Sequence, residues 1–376
     1  MRVLAVNWQD RTNPQAGGAE VHLHEIFGRL AARGHEVHLL CSGYPGAAAD
    51  ADVDGIRVHR VSSRYGFALA GRAAFRTLAV RLRPDVVVED VNKVPLYLPR
   101  DWPGPFVLLV PHLFGTTAFR EVTFPVAAAV WASERPMPRV YAGAAVEAIS
   151  HSTAGDLAAR GFRREVIRVI YPGVDTRLYA PEPGVERLSE PAFLYVGRLK
   201  RYKEVETAIA ALALLAGSGQ RSRLLVAGSG DHRPALERAA RRAGVAAAVE
   251  FLGFVSEERK LELYRQSWAV VLPSRKEGWG ITNLEAAGCG TPALAADNSA
   301  LRESVRDGET GFLFPTGDAR ALADAMGRLA GDATLRERLG RGARAFAESF
   351  SWERTAQETE SHLGVVAAGG PRGREP

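Results

Sequence analysis

Short apolar runs alternate with helical patterns along most of the 376 residues. Val3–Val6 reads as a buried strand, and Glu20–Ala32 as a helix whose apolar face includes Val21, Ile26 and Leu30. Strands follow at Glu36–Cys41 and Ile56–Val61, then an Arg-studded helix at Leu69–Leu82. Further strands at Asp85–Val88, Phe106–Val110, Val146–Ser150 and Val166–Tyr171 complete the first half. Tyr171–Pro191 is rich in Pro, Gly and charge and reads as an interdomain linker. A second set begins at Ala192. Its strands are Phe193–Val196, Arg223–Ala227, Val249–Leu252, Trp268–Leu272 and Pro292–Ala295. Helices lie between them at Glu204–Ala216, Arg233–Ala243, Glu257–Gln266 and Ile281–Gly288. Helices near Asp318–Leu329, Leu335–Phe350 and Trp352–Leu363 close the pattern. Strand–helix alternation of this kind predicts parallel βαβ units. The expected fold class is α/β, with two Rossmann-like doubly wound domains, 1–180 and 181–350, facing a cleft. A last helix occupies 351–365, and the tail 366–376 is expected to be disordered.

Composition changes this picture little. Hydrophobic content of 46% and charged content of 24% suit a globular chain with two cores. The net charge of +5 gives weak support for anionic partners and does not argue for nucleic acid. Cys41 and Cys289 stand alone, with neither a disulfide framework nor zinc spacing, which fits a reducing cytoplasm. The start, MRVLAVNWQD, turns polar too soon for a signal peptide. No apolar run approaches the ~20 residues of a membrane span.

Candidate chemistry clusters just after the predicted strands, where ligands of doubly wound sheets bind. The stretch Pro273–Pro292, PSRKEGWGITNLEAAGCGTP, runs from strand through a glycine-bearing loop into a helix. Glycines let a backbone approach a phosphate, and a helix start offers free N–H donors. Glu277 and Glu285 bracket seven residues of this stretch. Were all of it helical, they would stand ~12 Å apart. That exceeds the ~5–9.5 Å of a glycosidase carboxylate pair. It suits the two ends of one elongated ligand: a sugar, a diphosphate over the glycines, and a ribose. The plainer alternative makes Glu277 a loop charge and Glu285 an exposed helix residue.

Other loops fall in the same place. Gly197–Lys203, GRLKRYK, offers Arg198 and Lys203 as fixed cations for a departing diphosphate, whose charge grows in the transition state. Asn13–Glu20, NPQAGGAE, puts Gly17 and Gly18 at a helix start, where they meet a phosphate or a sugar, or merely turn the chain. Gly228–Gly230 and Gly253–Val255, the latter including Phe254, are loops whose backbone faces a base or phosphate, or simple turns. His112 opens the loop after the strand ending at Val110.

These residues resemble the GT-B-fold, family-4 retaining glycosyltransferases. The resemblance covers about residues 1 to 364. It rests on GGAE at Gly17–Glu20, PGVD at Pro172–Asp175, GRLKRYK at Gly197–Lys203, EGWGITNLEAAGCGTP at Glu277–Pro292 and DGETGFLF at Asp307–Phe314. It implies that Arg198 and Lys203 bind the diphosphate, that Glu277 contacts the donor sugar and that Glu285 holds the ribose. The backbone of Gly278, Trp279, Gly280, Ile281, Thr282 and Asn283 would lie along sugar and phosphate. Gly18 would close on the diphosphate from the first domain, with His112 near the transferred sugar. The resemblance further implies no metal or other cofactor, an oxocarbenium-like transition state with retention, and a last helix that crosses back to the first domain. One departure stands out: the family often has Lys-Gly in the cation loop, and here Glu204 follows Lys203.

The expected function is transfer of a hexosyl group from a nucleotide sugar, UDP- or GDP-linked, to a glycan or lipid-linked acceptor of cell-surface polysaccharide or glycolipid. The alternatives are a non-transferring enzyme of the same fold, such as a nucleotide-sugar epimerase, and a sugar-nucleotide-binding module. The segment Thr116–Ala144 combines Phe119, Val122, Phe124, Val126, Val130 and Trp131 with Arg120, Arg135 and Arg139. It reads either as a core helix or as a surface segment meeting an anionic membrane. A cytoplasmic enzyme, peripheral at the inner membrane face, is the expectation that follows from the second reading.

Overall fold

The computed structural model describes residues 1–113, 115–117, 119 and 123–369. The chain divides into two compact units, Met1–Gly173 with Trp352–Pro376, and Val174–Ser351. The division falls earlier than the expected 180/181 boundary, because Val174–Tyr179 packs with the second unit. The Val174 N–H donates to the Phe350 carbonyl, and the Tyr179 ring meets Tyr264 edge-on at 6.1 Å.

The first unit carries β1 (Arg2–Val6), β2 (Glu36–Gly43), β3 (Asp50–Val53), β4 (Ile56–Ser63), β5 (Val86–Asp90), β6 (Phe106–Val110), β7 (Ala145–Ala148) and β8 (Ile167–Val169). Their order in the sheet is β3-β4-β2-β1-β5-β6-β7-β8. All neighbours are parallel except the β3–β4 hairpin. Alternate residues of β1 feed two cores, Leu4 and Val6 on one face, Val3 and Ala5 on the other. Burial on both faces explains why these strands read as unbroken apolar runs. β3 escapes a pattern reading because DADV sits on the sheet edge with alternate residues exposed.

The helix Trp352–Ala368 belongs to this unit. Ala356 and Leu363 enter the core that holds Val3 and Leu109. On the same face, buried Glu147 of β7 accepts hydrogen bonds from Thr359 Oγ1 (2.9 Å) and His362 Nδ1 (3.3 Å). Val366 and Ala367 also pack on this core, so the helix runs into the expected tail; 370–376 lie outside the described residues.

The segment read as core helix or surface segment forms the helix Phe124–Glu134. It buries Ala127 and Glu134 but leaves Phe124 75% and Val126 49% exposed, so it is not a core helix. Arg120 and Val122 lie outside the described residues.

The second unit carries β9 (Ala192–Val196), β10 (Arg223–Ala227), β11 (Val249–Gly253), β12 (Ala269–Leu272), β13 (Ala293–Ala296) and β14 (Gly311–Phe314). Its order is β11-β10-β9-β12-β13-β14, all parallel. The strand order reverses between β9 and β12. The carboxyl ends of those two strands therefore form the crevice where open α/β sheets take their ligands.

Leu363→Ala should destabilise the first unit by about 2–5 kcal/mol, the range for truncating a fully buried leucine. Urea unfolding followed by far-UV circular dichroism measures it. An unchanged midpoint would show that the last helix adds nothing to this core.

Candidate active site

The loop after β9 is held from beside and beneath. The Gly197 N–H donates to the Ala227 carbonyl (3.0 Å), the Leu199 N–H to the Ser229 carbonyl (2.9 Å) and the Gly228 N–H to the Gly253 carbonyl (2.7 Å). Gly228 has φ +140°, and a Cβ there would fall on the Gly197 carbonyl oxygen. A Cβ at Gly230 would fall on the Leu199 carbonyl in the same way. Gly228 and Gly230 thus let adjacent loops press together, while a Cβ at Gly253 would meet only the end of the Arg233 side chain. Phe254, next in the chain, is 86% exposed. Tyr195, fully buried, donates its hydroxyl to the Arg198 carbonyl (2.9 Å) and fixes the backbone at that residue.

Lys203 ends a 3-10 turn, Arg201–Lys203, in this loop. Its Nζ donates to Glu277 Oε1 at 2.5 Å, with both side chains mostly buried. Burial alone would lower the Lys203 pKa; the Glu277 carboxylate outweighs it and raises it, so the ammonium stays charged at neutral pH. The structure therefore joins the loops after β9 and β12 through two residues that lie 74 positions apart.

After Glu277 the chain turns through Gly278, Trp279 and Gly280 into the helix Ile281–Gly288. Gly280, the N-cap, has φ +93°, and a Cβ there would crowd Leu301, Ser304 and Asn283. Trp279 is buried, its ring edge-on to Phe350 at 5.4 Å. Asn283 is buried too, and donates to Ser304 Oγ at 3.0 Å. The side chains of Trp279 and Asn283 thus serve packing. What the helix start offers a ligand is backbone: the amides of Ile281 and Thr282 belong to a first turn with no intrahelical acceptors.

Glu285 is 8% exposed, so it is not the exposed helix residue of the plainer alternative. Its carboxylate accepts from the Tyr264 hydroxyl (2.7 Å) and from Lys260 Nζ (3.2 Å). Burial would lower the Lys260 pKa, but Glu285 and Glu257 raise it. Burial, then Glu285, pushes the Tyr264 phenol well above its ordinary range. Sequence reading missed both residues. Their signal was there: Lys260 and Tyr264 stand four apart on the helix Glu257–Gln266, on one face.

The other three expected residues lie in the first unit. Gly17 is the N-cap of the helix Gly18–Ala32, and its N–H donates to Glu20 Oε2 at 2.8 Å. The Gly17 amide is therefore taken by the chain's own carboxylate. Glu20 is buried and also accepts from Asn92 Nδ2 (2.9 Å), on the loop after β5. Beside it, Asp90 is buried with no hydrogen-bond partner among the described residues. Burial, and then Glu20, push its carboxyl well above the usual range. His112 is partly buried just beyond β6.

Two family models match the chain, Glycosyltransferase Family 4 over residues 16–178 and Glycosyl transferases group 1 over residues 181–346. A D-inositol 3-phosphate glycosyltransferase of Acidothermus cellulolyticus is 38% identical over 221 residues, 54% of this chain and 48% of that protein. The chain thus spans about half the length of the curated relatives it matches. In fold it is similar to a sucrose-phosphate synthase from Thermosynechococcus elongatus, with TM-score 0.84 and 22% identity over 98% of this chain and 99% of that one. It is also similar to Anabaena HepE, solved with UDP-glucose, with TM-score 0.77 and 22% identity over 97% and 100%.

The glycine contacts make a graded prediction. Gly219, at φ +82° with nothing near its missing Cβ, should lose about 1–2 kcal/mol on mutation to Ala, from left-handed strain alone. Gly228→Ala adds a backbone collision and should lose more. Thermal unfolding of both variants checks the order; equal losses would mean the loops are not pressed together at Gly228.

Proposed function

The chain belongs to the group 1, family-4 glycosyltransferases and shares their GT-B fold class, and we propose that it moves a hexosyl group, with retention, from a nucleotide-diphosphate sugar to a glycan or lipid-linked acceptor. The observation that carries this reading is the Lys203–Glu277 pair at the crevice between β9 and β12, beside a helix start. A diphosphate over that helix start would meet the amides of Ile281 and Thr282 together with Arg198 and Lys203. As the sugar leaves, charge grows on the diphosphate, and fixed cations stabilise it more in the transition state than in the ground state. Glu277 would position the donor sugar and offset positive charge at its anomeric carbon. Glu285, oriented by Lys260 and Tyr264, would hold the ribose hydroxyls. In this reading the cations supply the charge stabilisation, and no metal or other cofactor is required. The UDP-glucose held by HepE makes UDP-sugars the first donors to try, with GDP-sugars next.

We assign the acceptor to the first unit, which carries His112 and Gly17–Gly18. Among the described residues no helix is long and apolar enough to cross a membrane. The exposed apolar side of Phe124–Glu134 instead suits the headgroup region of an anionic bilayer. Phe119 and Phe124 stand 5.5 Å apart there, and exposed Arg135 lies over the Trp131 ring at 4.0 Å.

Arg198→Ala or Lys203→Ala should lower turnover by ~10²–10³, the loss seen for one preorganised charge partner. Glu285→Ala should mainly raise the donor KM, and Glu277→Gln should slow transfer while nucleotide still binds. Turnover of the donor without any acceptor would favour an epimerase over a transferase, and nucleotide release on incubation with acceptor would exclude a binding module.

The membrane assignment has its own test. Co-sedimentation with phosphatidylglycerol-containing liposomes should succeed at low salt and fail at high salt. Arg135→Glu with Arg139→Glu should abolish it. Absence of binding at low salt, with full activity on a soluble acceptor, would overturn it.

A further inference from the structure

Glu204 is the one non-glycine residue of the second unit with positive φ among the described residues, at φ 49° and ψ 40°. Left-handed backbone costs an L side chain ~1–2 kcal/mol, and a glycine would sit there freely. The Glu204 side chain must offset that strain, and its contacts show how. Its Oε1 accepts from Arg275 Nε at 2.6 Å, with the Glu204 side chain mostly buried. The Arg275 N–H donates to the Tyr202 carbonyl at 3.0 Å. Gly317, on the loop after β14, comes up against both members of the pair.

Two ion pairs thus cross between the same two loops in opposite senses. Lys203 reaches Glu277, and its neighbour Glu204 reaches Arg275, two residues before Glu277. The alternation matters because a carboxylate beside Lys203 has two harmful options: it can take the ammonium for itself, or stand near the donor's phosphates and repel them. The left-handed turn aims it elsewhere, and Arg275 holds it there.

We propose that the Glu204–Arg275 pair is a positioning latch, which keeps Lys203 seated on Glu277 and keeps the Glu204 carboxylate away from an anion bound at that lysine. The last part rests on the reading of the second unit as the donor site. The seating of Lys203 does not, and it can be measured without any donor.

The chain has five lysines, so the reactivity of each amine can be followed by mass spectrometry after brief acetylation with acetic anhydride. Only the neutral amine reacts. If the latch is lost, the Lys203–Glu277 pairing loosens, and labelling of Lys203 should rise about tenfold for each unit by which its pKa falls. Arg275→Ala and Glu204→Gly should both show this rise. The double variant should show no more than either single, and Arg275→Lys should stay near wild type. Lys260, equally shielded but outside the latch, is the internal control. Glu204→Gly relieves the backbone strain, so its melting temperature should not fall, which separates a positioning role from a merely structural one. Lys203 labelling that stays unchanged in both single variants overturns the latch. So does a parallel rise at Lys260, or effects that multiply in the double variant. UDP and GDP titrations on the same proteins should show weaker binding where Lys203 is loosened. If wild type binds neither nucleotide while the labelling pattern holds, the donor reading fails and the latch stands.

Discussion

An ammonium and a carboxylate held 2.5 Å apart, each mostly removed from water, are what the crevice of the second unit is built to maintain. Removing two charges from water carries a desolvation penalty that the pairing offsets only when the geometry is good. Good geometry here comes from neighbours. Tyr195 pins the backbone at Arg198, Gly228 and Gly230 let the adjacent loops close up, and Arg275 bonds to the turn that carries Lys203. Unpaired, Lys203 would be a poorly solvated cation in search of an anion. Paired with Glu277 it is satisfied yet still charged, and a ligand phosphate can share it without new desolvation of the lysine.

The second carboxylate is held by the same logic with different parts. Glu285 is set by a phenol and an ammonium from the facing helix, and Lys260 is itself shared with Glu257. Those two bonds restrict the Glu285 carboxylate's orientation. Two acids eight positions apart thus receive separate supports, which fits separate tasks on one extended ligand.

Much of this was legible in the chain. Strands buried on both faces appear as apolar runs, so most of the fourteen strands among the described residues were placed within a residue or two. The loops that follow β9 and β12 announce themselves by glycine and charge. What escaped reading depends on contacts between distant segments. β3 is polar and gains its place only from pairing with β4. The helix His151–Ala159 is mixed in pattern, though Ser150 caps it by accepting the Thr153 N–H. The inward packing of Trp279 on Phe350 and the bond from Asn283 to Ser304 cannot be read from the glycine-rich loop and helix start that carry them. Glu204 departs from the family pattern in a way the sequence can flag but not resolve, since its direction is set by one backbone angle and one arginine.

The two units share a parallel architecture but handle their helix starts in opposite ways. In the second unit the loops around the start of Ile281–Gly288 bring cations, and Glu285 is turned to a different support. In the first, Glu20 turns back on the start of Gly18–Ala32 and takes the Gly17 N–H, with buried Asp90 close by. A helix N-terminus favours negative charge, and in the first unit part of that charge comes from the chain itself. That contrast supports the proposed placing of the donor's phosphates on the second unit. In the first unit the Asn92 amide donates to Glu20, and buried Asp90 has no hydrogen-bond partner among the described residues. The proposed division between a charged donor on the second unit and a hydroxyl-bearing acceptor on the first thus has a counterpart in how each helix start is satisfied.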